Sequence, residues 1–87
     1  MNIDFSRLRS LTARELNSAL LADGFIFKRQ RGSHRRFRHP DGRRVTLTFH
    51  HGSDTFRPGT LRSMIELQAR WTEDDLCRLK LLARAKT

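Results

Sequence analysis

The sequence predicts an α+β fold, a three-stranded antiparallel sheet with helices packed on one of its faces. Three observations carry this reading. Successive stretches at residues 25–30, 34–39 and 44–49 alternate their side chains with a period of two. Gly32-Ser33 and Pro40-Asp41-Gly42 stand between them as hairpin turns. On either side of this block, apolar residues recur at helical spacing behind residues that start helices.

In chain order, Ile3, Phe5 and Leu8 suit either a short helix against the core or a loose arm. Thr12 then stands as an N-cap with Glu15 three positions on, a capping box, and Leu11 is placed to staple onto Leu16. The helix begins at about Ala13, stripes Ala13, Leu16, Ala19 and Leu20 along one face, and stops at Gly24 after Asp23. In the first strand, strict alternation sets Phe25 and Phe27 on one face and Ile26, Lys28 and Gln30 on the other. In the second, Phe37 faces the core while His34, Arg36 and Arg38 share the opposite face, and His39 falls on the apolar side, packing or capping its turn. In the third, Val45, Leu47 and Phe49 point inward and Arg44, Thr46 and Thr48 outward. Pro58 suits the first turn of a second helix, carried by Leu61, Met64, Ile65 and Gln68 or Ala69 to about Arg70. Thr72 caps a third, with Glu73, Asp74 and Asp75 in its first turn, Trp71 placed to staple onto Leu76, and a stripe of Leu76, Leu79, Leu82 and Ala83. The expected order is α-β-β-β-α-α within one domain spanning residues 1–87.

Charge narrows the partner. Lys plus Arg number 18 against 9 Asp plus Glu, a formal charge of +9, so the chain seeks polyanions. Fifteen of the eighteen bases are Arg, whose planar fork of donors suits phosphate better than a lysine tail does. They concentrate from Lys28 to Arg44, where eight of seventeen residues are basic and only Asp41 opposes them. The single cysteine, Cys77, allows neither an internal disulfide nor a cysteine-based metal cluster, which fits a reducing cytoplasm. No apolar run approaches the roughly 18 residues of a membrane span and no signal-peptide apolar region opens the chain, so a soluble cytoplasmic protein without membrane contact is expected.

Four stretches carry a resemblance: Gly24-Phe25; Arg29-Gln30-Arg31-Gly32-Ser33-His34; His39-Pro40-Asp41-Gly42-Arg43-Arg44-Val45-Thr46; and Pro58-Gly59-Thr60-Leu61-Arg62-Ser63. Together, in this order and spacing, they are similar to the HicA toxin family of bacterial toxin–antitoxin pairs, over about Leu11 to Ile65. The resemblance implies a fold like the double-stranded-RNA-binding domain, cleavage of mRNA that arrests translation, and neutralisation by a HicB-type antitoxin, with DNA bound only indirectly through that antitoxin. It also implies that the histidine of the Gly-Ser-His motif, here His34, is the residue essential for cleavage. Residues 71–87 form a C-terminal helical extension beyond the resemblance.

The residues support that chemistry on their own terms. Cleaving RNA through its own 2′-hydroxyl needs a base for that proton, positive charge for the transition state and an acid for the leaving oxygen. A histidine exchanges protons near neutrality, and His34 is the catalytic candidate. Lys28, Arg29, Arg31, Arg35, Arg36, Arg38 and Arg44 are candidates to hold the RNA, with Gly32 and Ser33 at the turn; as plain turn formers these last two need no further role. No acid is evident, although His50 and His51 close the third strand. Adjacent histidines without an acidic cluster make a poor metal pair, so neither metal nor cofactor is expected. The alternative is a noncatalytic RNA-binding module using the same basic hairpin. A DNA-binding regulator is weaker, because the bases cluster on strands and no helix-turn-helix is legible.

Overall fold

The computed structural model describes residue 3, residues 5–8 and residues 10–82. A 3-10 turn (Phe5–Leu8) leads into helix α1 (Ala13–Ala22), three strands follow as β1 (Ile26–Arg31), β2 (His34–Arg38) and β3 (Arg44–Thr48), and α2 (Pro58–Arg62) and α3 (Glu73–Arg78) close the order. The sheet is antiparallel in the order β1-β2-β3, so the fold is α+β with an open sheet, in the α-β-β-β-α arrangement of the double-stranded-RNA-binding domain.

The helix starts form as expected. The Thr12 hydroxyl accepts the Glu15 N–H at 3.2 Å while the Glu15 carboxylate accepts the Thr12 N–H at 3.0 Å. Thr72 and Asp75 repeat the exchange at α3. Such reciprocal caps satisfy amide groups that the first turn otherwise leaves without partners. The next two donors of α1, Ala13 N–H and Arg14 N–H, find the carbonyls of Asp54 and Gly52 instead, which seats the loop after β3 on the start of the helix. Residues 3, 5 and 8 belong to the core, not to a loose arm: Ile3, Phe5 and Leu8 are buried.

The core lies between the helices and one face of the sheet. Leu16 and Leu20 from α1, Phe37, Val45 and Leu47 from the sheet, and Leu61, Ile65 and Leu76 from the later helices are all nearly inaccessible. Each large apolar side chain buried in this way contributes about 1.5–3 kcal/mol. Gly24, with φ +96°, turns α1 into the sheet. A side chain there would also meet the His39 ring, whose Nε2 would lie 3.1 Å from the added Cβ.

Three expectations are corrected. Phe25 is buried, but strict alternation through β1 fails: the pairing with β2 runs Ile26 to Arg38 and Phe27 to Phe37, then skips Lys28 and resumes at Arg29 with Arg36. One extra residue on one strand of a pair is a β-bulge, and it reverses the faces of every residue beyond it. The second helix does run from Pro58, but past Arg62 it widens into a π-helical stretch (Ser63–Gln68), with the Ala69 N–H donating to the Met64 carbonyl five residues back. It stops where Arg70 takes a left-handed φ of 56°. The third helix ends at Arg78, sooner than its apolar stripe suggests. Lys80 adopts φ 62°, and the N–H groups of Leu81 and Leu82 both donate to the Leu76 carbonyl, so the chain folds back and buries Leu82. Left-handed helix stops usually fall on glycine, and neither Arg70 nor Lys80 announces one. Ala83 lies outside the described residues.

Candidate nucleic-acid interface

The face of the sheet turned away from the helices is built in rungs by the strand register. One rung is Arg31, His34 and Thr48; the next is Arg29, Arg36 and Thr46; the third is Ile26, Arg38 and Arg44. Residues directly opposite on adjacent strands share a face, with Cβ atoms roughly 4.5–5.5 Å apart. The bulge at Lys28 therefore decides the composition of this surface. Without it, Lys28 and Gln30 would lie outward; with it, Arg29 and Arg31 join His34, Arg36, Arg38 and Arg44. Among the described residues none of these five arginine side chains makes an ion pair or a hydrogen bond, and all are exposed. Arg29 opposes Arg36 and Arg38 opposes Arg44 directly. Like charges so placed are destabilising.

His34 starts β2, exposed, directly after the two-residue turn of Gly32 and Ser33. Gly32 has φ +58°, as a glycine at the first central position of a type II′ hairpin requires. The ladder continues one bond beyond β3, where the Phe49 N–H donates to the Ser33 carbonyl at 3.1 Å. This brings the end of β3 alongside the turn. Among the described residues no hydrogen bond holds the His34 ring, and neither His50 nor His51 bonds to it.

Arg35 stands apart from the other arginines. Alternation places it on the helix side of the sheet, where its Nε donates to the Asn17 side chain at 2.9 Å and its Nη1 to Gln30 at 3.0 Å. Its guanidinium covers the Phe27 ring at 4.1 Å. Those contacts engage two of its donors and its flat face. Lys28 sits in the bulge, exposed. His39 is structural: Nε2 lies 2.9 Å from the Asp23 carbonyl, Nδ1 lies 3.1 Å from the Asp41 N–H, and the ring meets Phe25 edge-on at 5.0 Å.

Two features of the region go beyond the sequence expectations. The Asp54 carboxylate accepts both the His50 and the His51 N–H groups, at 2.9 and 3.0 Å, and these backbone bonds hold its pKa below the ordinary carboxylate value. The acid four residues after His50 is the sequence signal for that loop. Thr46 and Thr48 extend the arginine face as far as a groove beside α2.

A family model, that of the HicA toxin of bacterial toxin–antitoxin systems, matches residues 13–69, more than half of the chain. The chain belongs to the HicA toxin family. It is thus the toxin member of a toxin–antitoxin pair, with an antitoxin as its partner. The matched region of this HicA-family chain takes in α1, the whole sheet and α2, and stops before α3. Comparison with curated protein sequences gives no match. Among the described residues no helix is long and apolar enough to cross a membrane.

Proposed function

We propose that this HicA-family toxin is a cytoplasmic ribonuclease that cleaves mRNA on the open face of its sheet and is neutralised by a HicB-type antitoxin. The observation that carries the reading is the exposed His34 at one corner of five arginines, none of which has a counter-ion among the described residues. A domain keeps two directly opposed arginine pairs, against its own stability, where a polyanion supplies the missing charge. In the proposed step His34 takes the proton from a 2′-hydroxyl. The oxygen so freed attacks the adjacent phosphorus, and the 5′-oxygen leaves with a proton from solvent. Arg31, directly opposite the histidine on β1, and Arg36, two residues along its own strand, stabilise the charge that gathers on the phosphorus oxygens. An acidic antitoxin surface laid over the same face would displace RNA and screen the histidine.

One observation favours the second reading, a noncatalytic RNA-binding module. A positioned base is commonly oriented by a third group, and the His34 ring has no such hydrogen bond among the described residues. Cleavage separates the two. His34→Ala should lower the rate at which purified toxin cuts single-stranded RNA by about 10²- to 10⁴-fold, the usual worth of a positioned acid or base. RNA binding and the fold should survive, because the side chain is exposed and unbonded. A parent protein that binds RNA but never cuts it, with or without chelator, establishes the module instead.

A further inference from the structure

Beyond the arginine face lies an open groove of about 390 Å³ along the free edge of β3, between Thr46 and Thr48 on the sheet and the first turns of the second helix. Its lining differs in kind from the neighbouring surface. Thr46, Thr48, Thr60 and Ser63 present hydroxyls, Gln68 an amide and Met64 a thioether over the core, and no charged side chain takes part. The amide is fixed by its bonds: the Gln68 Oε1 accepts the Thr46 N–H at 2.9 Å, and its Nε2 donates to the Ser63 hydroxyl at 3.3 Å. Ser63 is thereby left with its own proton to offer. Because Thr46 stands on the same rung as Arg29 and Arg36, and Thr48 on the rung of His34, the groove opens directly onto the candidate cleavage face.

From this we infer that the groove is a nucleoside subsite. It takes one unpaired base of the RNA strand whose phosphates lie on the arginines, and so gives the toxin a base preference. The inference rests on the ribonuclease reading and deepens it. The chemistry divides along the surface. Arginines hold phosphates and carry no sequence information, whereas fixed hydroxyl and amide groups over an apolar floor read the edge of an unstacked base. Hydroxyls both donate and accept, so a base whose edge matches the Thr46 and Thr60 hydroxyls on either side of the fixed amide is favoured over one that leaves them unpaired. Pockets that bind small ligands begin at about this size. The face is cationic and the groove neutral, so a strand crossing both is positioned by the first and sorted by the second.

The experiment uses the His34→Ala chain, so that no strand is cut during measurement, with short single-stranded oligo(U), oligo(C) and oligo(A) as probes. One base should bind about 10-fold more tightly than the least favoured, the worth of one or two hydrogen bonds. Adding Thr46→Val and Thr60→Val, which keep side-chain shape and remove two hydroxyls, should level the three affinities. The salt dependence of binding should stay unchanged, because every arginine that holds a phosphate is kept. Circular dichroism and thermal melting confirm that the variant is folded. The inference is overturned by equal affinities in the His34→Ala chain, or by a preference that survives both substitutions. A uniform loss of affinity with a flatter salt slope also overturns it and makes the groove part of the phosphate face. Weaker capture of the antitoxin with base preference intact overturns it too, and assigns the groove to protein contact. None of these results touches the ribonuclease reading, which the parent chain decides by cutting long RNA.

Discussion

Asp23 is the sharpest place to test how α3 is held. Its side chain is 6% exposed at the C-terminal end of α1. The Trp71 indole N–H donates to Oδ2 at 2.8 Å, Arg43 approaches the same oxygen at 3.2 Å, and Arg78 binds Oδ1. One carboxylate thus ties α1, the β2–β3 hairpin and α3. Asp23→Ala removes a charge-assisted bond to Arg78, worth about 1.5–3 kcal/mol, and leaves the indole N–H of buried Trp71 unpaired at a further 1–3 kcal/mol. A loss of about 3–5 kcal/mol is a large share of the roughly 5–15 kcal/mol that holds a domain together, and should lower Tm by well over 10 °C. Urea titration followed by the fluorescence of Trp71, the one tryptophan, measures it directly. The same carboxyl sets a pH dependence. Burial alone would raise its pKa, but the bonds from Trp71 and Arg78 and the charges of Arg78 and Arg43 outweigh burial and hold it below its ordinary 3.8. The unfolded chain therefore takes up the proton first. The stability from this group is fully present above about pH 3.8 and drains away as pH falls through the lower, folded value. Asp41, Asp54 and Asp75 are lowered as well, so Asp23→Asn should make the acid limb of stability shallower without abolishing it. A loss under about 1 kcal/mol for Asp23→Ala, the scale of an ordinary surface change, would refute the view that this carboxylate anchors α3.

Two further outcomes follow from the open face. Arg36→Ala with Arg38→Ala should flatten the salt dependence of RNA binding by about 0.7 log unit for each single-strand phosphate that the pair had neutralised, with no loss of stability because two like-charge oppositions are relieved; unchanged slopes would show the face is idle. Deleting Lys28 should leave Arg29 and Arg31 outward and cost about 1 kcal/mol or less, because the bulge residue is the one extra member of its strand, whereas deleting Gln30 should turn Arg31 inward and weaken RNA binding; equal damage from the two deletions would mean that the bulge does not set the face.

The parts of this fold that are legible in the sequence are those in which a few adjacent residues determine the outcome. Thr12 with Glu15, Thr72 with Asp75, the two hairpin turns and the alternation of Val45 and Leu47 all act within a turn or a strand. Lys28 is illegible for the opposite reason. A bulge depends on how a strand meets its partner, and nothing in Phe27-Lys28-Arg29 marks one. The stops at Arg70 and Lys80 have no local mark because tertiary burial of Trp71 and Leu82 overrides the usual glycine. At the site, His34 and its neighbours Arg36 and Arg38 are readable from alternation. So is the separation of Arg35, which the same rule sets beside Phe37, though the density of the arginine run conceals it. The groove beside α2 brings together residues from two distant stretches and has no local signature.

The distribution of acids explains how such a surface coexists with a stable fold. The carboxylates that form ion pairs or caps, Asp23, Asp41, Asp75 and Glu66 among them, engage Arg43, Arg78 and Arg62 at the hairpin end and along the helices. No ion pair among the described residues reaches the rungs of the open face. Apart from Arg35, held by neutral groups, the cationic side chains of the hairpins and α3 are thus of two kinds: those neutralised in place, such as Arg43 and Arg78, which knit α3 and the hairpin to α1, and those of the open face, with no counter-ion among the described residues. The second kind repel one another across the sheet at distances where opposed like charges cost stability. Binding a polyanion, whether an RNA strand or an acidic protein face, relieves that repulsion as it adds attraction. Under the proposed function, RNA and antitoxin would compete for this same unneutralised charge, and an antitoxin that offers fixed carboxylates in the place of mobile phosphates would hold the advantage.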